Sequence, residues 1–353
     1  MKVDDFVKSP GSWLSMERNT GIVISSRVRL ARNMKDVAFP AQASDDERVR
    51  LCNELREICK KMSTVANPLF LDMGSLEPVD KEVLKERHLI SNELSEKGAG
   101  SGLIVAEDER IAIMINEEDH FRLQAMSPGM DIPAVWAKID AVDSELESYV
   151  NYAFSPRFGY LTACPTNVGT GLRASVMMHL PGLKLMNEIE PVIKGLNRIG
   201  FEVRGLLGEG TEAWGDMFQI SNQTTLGETE DAIITRLIQV TKKLVYHEQN
   251  ARARSMEQKK FYVLDHVGRA FGILSYARVL SSREAIDMLS RLRLGIEFNI
   301  VKNVTVTRIN EVMLLTQPGH LQRIAKKVLN PEERDELRAN VVRQKLKGIS
   351  MLG

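Results

Sequence analysis

An apolar run at Gly21–Ile24 leads into Ser25-Ser26-Arg27-Val28-Arg29-Leu30-Ala31-Arg32, where arginines alternate with aliphatic residues. In a strand that alternation sets Arg27 and Arg29 on one face. Ser44-Asp45-Asp46-Glu47 reads as a capping box opening a helix to about Met62, with Val49, Cys52, Leu55, Ile58 and Cys59 as its apolar face. Strands are predicted at 67–72, 103–106 and 111–115, and a short helix at 78–87. A polar, glycine-rich stretch fills 95–102. Helices are expected through 131–154 and at 191–199, and strands at 201–204 and 218–222. Between the last two, glycines at 205, 208, 210 and 215 suit a mobile loop that closes over a substrate. From 229 onward the pattern is helical: 229–256, 261–279, 282–292, 309–315, 321–328, and a start at Asn330-Pro331-Glu332-Glu333. The pattern divides the chain into residues 1–251, mixed α and β, and 252–353, all helical.

Composition narrows the class. The 353 residues are 43% hydrophobic and 27% charged, ordinary for a soluble globular protein. Lys+Arg and Asp+Glu both number 47, so no bulk field favours nucleic acid or an anionic membrane, and any phosphate site must be local. Three cysteines, Cys52, Cys59 and Cys164, give neither a disulfide framework nor metal-type spacing. Cys52 and Cys59 lie seven apart on a helical pattern and are expected in a core. The first residues carry no apolar signal region and no stretch is long enough to span a membrane, so the expected location is cytoplasmic.

The densest chemistry lies in Tyr160–Met178, YLTACPTNVGTGLRASVMM. Pro165 ends an apolar run, and the small-residue turn after Cys164 suits close approach of backbone to a ligand. A thiol there, beside cationic Arg173, has the setting of a functional cysteine; for an isolated Cys-Pro, a buried structural cysteine is the plainer reading. Asn116-Glu117-Glu118-Asp119-His120-Phe121-Arg122 places three carboxylates at a strand end, costly together unless cations compensate them. Arg27 and Arg29 on one face repel unless an anion lies between them, and guanidinium forks suit phosphate oxygens.

CPTNVGT is similar to the active-site signature of the ATP:guanidino phosphotransferases, the family of arginine and creatine kinases. SSRVRLAR, HLIS (His88–Ser91), NEEDHFR and RGLLGEGTE (Arg204–Glu212) resemble further segments of that family. The resemblance implies an α+β fold with a mainly antiparallel sheet flanked by helices, and transfer of the ATP γ-phosphate with Mg²⁺ bridging the phosphates. It makes Glu118 and Glu212 the carboxylates that grip and deprotonate a guanidinium, and gives Cys164 a polarising role. Nucleotide contacts would come from Ser25, Ser26, Arg27, Val28 and Arg29, from His88 and Arg122, and from Arg173, Ala174, Ser175, Val176 and Met177. Arg204, Gly205, Leu206, Leu207, Gly208 and Glu209 would complete them. Metabolite kinases carry an arginine where Leu207 stands, so one phosphate contact is altered.

Two features depart from the metabolite kinases. Their helical domain before the SxRVR strand is not expected here, since that strand begins at residue 25, and a cleft without that cover would admit a protein-borne side chain. Arg334-Asp335-Glu336-Leu337-Arg338-Ala339, on charge pattern alone a solvated helix face, is similar to the RDxxRA motif of bacterial protein-arginine kinases of the McsB type. In them it is an allosteric phosphoarginine pocket, which would make Asp335 the guanidinium contact and Arg334 and Arg338 the phosphate contacts. That resemblance further implies a McsA-type activator, a CtsR-type heat-shock repressor as substrate, and delivery of marked proteins to ClpC–ClpP in the stress response. A homodimer is expected because a small helical domain often buries its apolar face against a partner. A kinase of free arginine or another small guanidino compound, and an inactive phosphoarginine-binding adaptor, are the alternatives.

Overall fold

The computed structural model describes residues 3–8, 10–14, 21–205 and 213–352. Ten strands come first in chain order: β1 (Val23–Arg32), β2 (Leu69–Asp72), β3 (Gly102–Val105), β4 (Ile111–Ile115), β5 (Phe121–Pro128), β6 (Phe154–Ser155), β7 (Gly159–Tyr160), β8 (Leu172–His179), β9 (Phe201–Gly205) and β10 (Met217–Asn222). Eight form one sheet in the order β2-β3-β4-β5-β1-β8-β10-β9, while β6 and β7 make a separate small hairpin. The pairings β1–β5, β2–β3, β3–β4 and β4–β5 are antiparallel. A mainly antiparallel sheet flanked by helices is therefore the fold, as the sequence motifs implied.

The chain forms two compact units that interleave along the sequence: Ser25–Val176 with Ser221–Gln239, and a second from the segment ending at Ile24, Met177–Ile220 and the chain from Val240 onward. In the first unit β3 and β4 are buried along their whole length, so both faces of the sheet are covered there. The helix Asp45–Cys59 starts at the expected capping box, Ser44 and Glu47 each satisfying the other's backbone N–H. Its buried line is narrower than expected: Cys52, Leu55 and Cys59 are in the core, whereas Val49 is 38% exposed. The helix expected through 131–154 is Ile132–Glu147 and ends because the chain turns back to pair: Met34 bridges Tyr152, and the Lys35 N–H donates to the Asn151 carbonyl at 2.8 Å. Just before the glycine-rich stretch, and overlapping its first two residues, lies a short helix, Asn92–Glu96, whose N-cap Ser91 accepts from the Leu94 N–H.

The second unit holds the helices Lys260–Tyr276, Ser282–Glu297, Val306–Leu315, Pro318–Ala325 and Pro331–Lys345, with β11 (Val301–Lys302) paired antiparallel to β12 (Ser350–Met351). Hydroxyl and amide caps start three of them: Ser281, Thr305 and Asn330 accept backbone N–H bonds, and Asn330 forms a capping box with Glu333.

One buried ion pair fixes the end of β1 in the first unit. Arg32, 2% exposed, donates from Nε and Nη2 to the Asp143 carboxylate, with the Nη2 contact at 2.7 Å. Its Nη1 donates to the carbonyls of Ala31 (3.0 Å) and Thr170 (2.9 Å), and its guanidinium lies 3.5 Å from the centre of the Tyr160 ring. The Tyr152 hydroxyl donates to Asp143 as well, at 2.9 Å. Gly171 is at φ +63°, and a Cβ there would lie 2.6 Å from the Ala31 carbonyl and 2.7 Å from Arg32 Nη1, so only glycine fits. Arg32→Met is expected to lower stability by about 3–5 kcal/mol, because Asp143 is left as an uncompensated buried charge. In urea unfolding, Arg32→Met combined with Asp143→Leu should cost clearly less than the two single changes summed. Additive losses would show that the pair is not coupled.

Candidate active site

The β1–β5 register builds the centre of the site. Arg29 lies opposite Gln124 and Ala31 opposite Arg122, and residues paired across an antiparallel ladder project from the same face. Arg27, Arg29 and Arg122 therefore emerge together, and β8, the neighbour of β1 on its other side, brings Arg173. The four repel. Burial first, then the charges of Arg122 and Arg173, pull Arg27 down to about 10. Burial and the charges of Arg27, Arg122 and Arg173 pull Arg29 well below its ordinary value, with Glu117 opposing. A guanidinium keeps its proton at neutral pH, so the pull appears as a cost of folding that an anion would relieve. Arg29 Nε is buried with no hydrogen-bond partner among the described residues. A polyphosphate supplies what this group lacks.

His88 joins the same face through its backbone. Its φ is +58°, and its carbonyl accepts a 2.7 Å bond from Gln124 Nε2, directly across from Arg29. The preceding residue, Arg87, is fully buried and forks onto Glu109 at 2.8 and 2.7 Å, which anchors the turn. Burial, followed by the charges on Arg27 and Arg29, pulls the His88 imidazole down to about 3. Gln124, Arg87 and Glu109 escaped the sequence reading. β5 itself was not anticipated, and without it no pattern points Gln124 at His88.

The acidic run separates into three roles as the chain leaves β4. Glu117, 1% exposed, takes Arg122 Nη1 at 2.6 Å and also accepts from the Ser91 hydroxyl. Although burial works against it, that carboxylate holds the Arg122 guanidinium above its ordinary value. Asp119 accepts from Asn33 Nδ2 and from the Ala163 N–H, both at 2.6 Å, while Asn33 Oδ1 accepts the His120 N–H. Glu118, between them, is the half-exposed member. Burial, then the neighbouring Glu117, raises its carboxyl, with Arg122 opposing. A raised carboxyl is the better proton acceptor. The run of acids was legible in sequence; which of them structures the turn and which faces solvent was set by the rotation of the chain.

The Asp119–Ala163 bond brings the turn of Glu118 to the residue before Cys164. Cys164 is a free, half-buried thiol at the N-cap of a short 3₁₀ turn, with Sγ 3.0 Å from Thr166 Oγ1. The signature turn after it is stitched to Thr225, whose hydroxyl donates to the carbonyls of Thr166 (2.9 Å) and Val168 (2.7 Å) and whose carbonyl accepts the Thr170 N–H (3.0 Å). Gly169, at φ +114°, passes so near the Thr225 carbonyl that a side chain would collide with it.

The other expected contacts sit as follows. Ser26 spends its hydroxyl on the Gly129 carbonyl and the Asp131 N–H, and Val28 points into the core. Ser25, Ala174, Ser175, Val176 and Met177 are all buried. Arg173 Nη2 donates to the Ser221 hydroxyl at 3.1 Å. In the second unit, Arg204 pairs with Glu202 at 2.7 Å, and Gly205 ends β9. Leu206, Leu207, Gly208, Glu209 and Glu212 lie outside the described residues. On the helix Pro331–Lys345, Arg338 is fully buried, donates to the carbonyls of Thr316 (2.9 Å) and Leu280 (2.8 Å), and pairs with Asp335. Arg334 Nη1 donates to the Leu329 carbonyl.

Converging arginines beside a carboxylate of raised proton affinity are the equipment of a phosphotransferase acting on a cationic acceptor, and comparison with known proteins gives that class a family. Residues 51–251 match the family model for the ATP:guanido phosphotransferase C-terminal catalytic domain. The chain belongs to that family of enzymes. Residues 260–352 match the model for the protein-arginine kinase McsB C-terminal domain. Among curated proteins, the chain is 44% identical over 345 residues to the protein-arginine kinase of Geobacillus sp. (strain WCH70), covering 97% of this chain and 95% of that one. It is 43% identical over 326 residues to that of Pelotomaculum thermopropionicum, covering 92% of each. Among solved structures, lombricine kinase superposes with a TM-score of 0.58 at 25% identity over 71% of this chain and 76% of that one. The duplicated taurocyamine kinase from Schistosoma mansoni with bound transition-state-analogue components shares the fold, at 22% identity and a TM-score of 0.59 over 80% of this chain and 43% of that one.

His88 is expected to report nucleotide binding. Its native value of about 3 lies below the ordinary 6.5, so between these the unfolded chain binds a proton that the native state refuses. Stability must fall as pH drops from 6.5 toward 3, and His88→Gln should flatten part of that slope. Imidazole NMR should show His88 neutral at pH 6. ATP, by offsetting Arg27 and Arg29, should raise its titration point. A titration point unmoved by ATP would place the phosphates elsewhere.

Proposed function

We propose that this chain is a protein-arginine kinase, transferring the ATP γ-phosphate to the guanidinium of arginine side chains in proteins. The observation that carries the reading is the convergence of Arg27, Arg29, Arg122 and Arg173 next to Glu118. The arginines bind and neutralise the transferring phosphoryl group, which is most of what this chemistry requires. An arginine side chain is cationic below a pKa of about 12 and a poor nucleophile. Glu118, with Glu212 as the expected second carboxylate, orients one nitrogen and takes its proton as the N–P bond forms and the bond from Pγ to the bridging oxygen breaks, releasing ADP. Among the described residues no cluster of three or more His, Cys, Asp or Glu could hold a metal ion, so Mg²⁺ would be carried on the nucleotide phosphates. The activity by which the curated relatives are named and the match of residues 260–352 favour protein arginine over a free guanidino compound.

The reading brings further proposals. Arg334, Asp335 and Arg338 would form the phosphoarginine pocket, with Asp335 exchanging Arg338 for the ligand guanidinium. A McsA-type activator, a CtsR-type repressor as substrate, ClpC–ClpP as consumer of the marked proteins in a stress response, a homodimer and a cytoplasmic location complete it. Among the described residues no helix is long and apolar enough to cross a membrane.

Mass spectrometry under non-acidic conditions, after incubation with ATP and Mg²⁺, tests the activity on an arginine-rich protein and on free arginine in parallel. The expected result is phosphate on protein arginines, with Glu118→Gln lowering kcat/KM by roughly a hundredfold to ten-thousandfold. Turnover of free arginine alone would make this a small-guanidino kinase. Binding of phosphoarginine without any transfer, with or without the activator, would make it an adaptor.

A further inference from the structure

The second unit contains a cavity of about 700 Å³ that the kinase reading does not use. Three cations line it, Lys184, Lys259 and Arg291, against two carboxylates, Asp216 and Asp287. Both acids are committed within the fold. Asp216 takes the Lys184 ammonium at 2.6 Å, and Asp287 accepts the Gly215 N–H at 2.8 Å with Arg283 4.0 Å away. Two of the cations have no such counterpart. Lys259 donates to a neutral acceptor, the Leu185 carbonyl, at 2.7 Å. Among the described residues the only hydrogen bond of Arg291 is a weak one from Nη1 to the Met288 sulfur at 3.9 Å. On another wall Tyr262 stacks on His266, ring centres 5.9 Å apart and planes 19° from parallel, with the tyrosine exposed.

We infer that this cavity binds a phosphate group, held by Arg291 and Lys259 with Lys184 in reach. The balance of charge is the reason. An Arg fork with no carboxylate partner among the described residues, sharing a cavity with a Lys ammonium, is what phosphate oxygens satisfy, and concave walls strengthen the field of fixed charges. Burial and the charge of Arg291 both hold His266 below its ordinary value, so its ring senses whether Arg291 is neutralised. The Tyr262–His266 stack adds a flat apolar platform, suited to a phosphate carried on an aromatic group as well as to the free ion.

His266 is the local probe, assigned by comparison with His266→Gln. Inorganic phosphate, added at fixed pH and ionic strength to the full chain, is expected to shift the His266 imidazole resonances saturably and raise their titration point. Arg291→Gln should weaken the dissociation constant about tenfold or more, while Arg291→Lys, which keeps the charge, should retain a saturable shift. Phenyl phosphate distinguishes the two sources: tighter binding than inorganic phosphate means that the ligand rests on the stack, and equal binding means that the free ion suffices. Chloride reproducing the shift, a His266 signal that phosphate leaves in place, or equal binding by wild type and a folded Arg291→Gln would each overturn the site.

Discussion

Four guanidinium groups on one face of a sheet repel one another, and the fold surrounds them with devices that make this tolerable. Glu117 neutralises Arg122, the Ser221 hydroxyl accepts from Arg173, and Arg29 keeps a buried donor without a partner among the described residues. The remaining excess of positive charge is what a polyphosphate would offset. Had each arginine been matched to its own carboxylate, the site would fold more readily and bind nothing. The stability forgone in one state becomes binding energy in the other, the usual relation between a strained functional site and its ligand.

Around the cluster, rigidity comes from contacts in which a side chain satisfies backbone. Arg32 reaches the Thr170 carbonyl, Asp119 the Ala163 N–H, Thr225 the carbonyls of the signature turn, and Gln124 the carbonyl of His88. Loops carry the chemistry, and loops hold geometry poorly unless their polar groups are tied down. The glycines of the turn serve the same end, since Gly169 and Gly171 let backbone strands approach more closely than any Cβ would permit. Glu118 is left half-exposed among partnered neighbours, which would suit its proposed role as proton acceptor.

Much of this was legible before any coordinates. Alternation placed Arg27 and Arg29 on one face, the capping box at Ser44 and the proline-led acidic start after Asn330 opened helices where they are observed, and CPTNVGT with its companion segments pointed to the family. Two elements differ from expectation. The signal for β5 was present, since Phe121-Arg122-Leu123-Gln124-Ala125 alternates apolar and polar residues as a strand with one polar face does, but the charged segment 116–120 in front of it obscures where the strand begins. The helices expected to fill 131–154 reduce to Ile132–Glu147 because the chain beyond turns back, with Tyr152 bonding to Asp143 and bridging Met34, which is far away along the sequence.

The sequence by itself determined the elements with strong local signals, the class of chemistry and the residue types that perform it. Periodicity, capping and turn composition are local, and a seven-residue signature is specific enough to carry a family's mechanism. Only the tertiary structure decided how three adjacent acids divide their work, that Arg338 is buried against two carbonyls, that Arg32 holds the signature turn, and that Arg291 lines a cavity with no carboxylate paired to it among the described residues. Those outcomes depend on burial and on partners far apart along the chain. The charge of a side chain is written in the sequence, but what compensates that charge is a property of the fold.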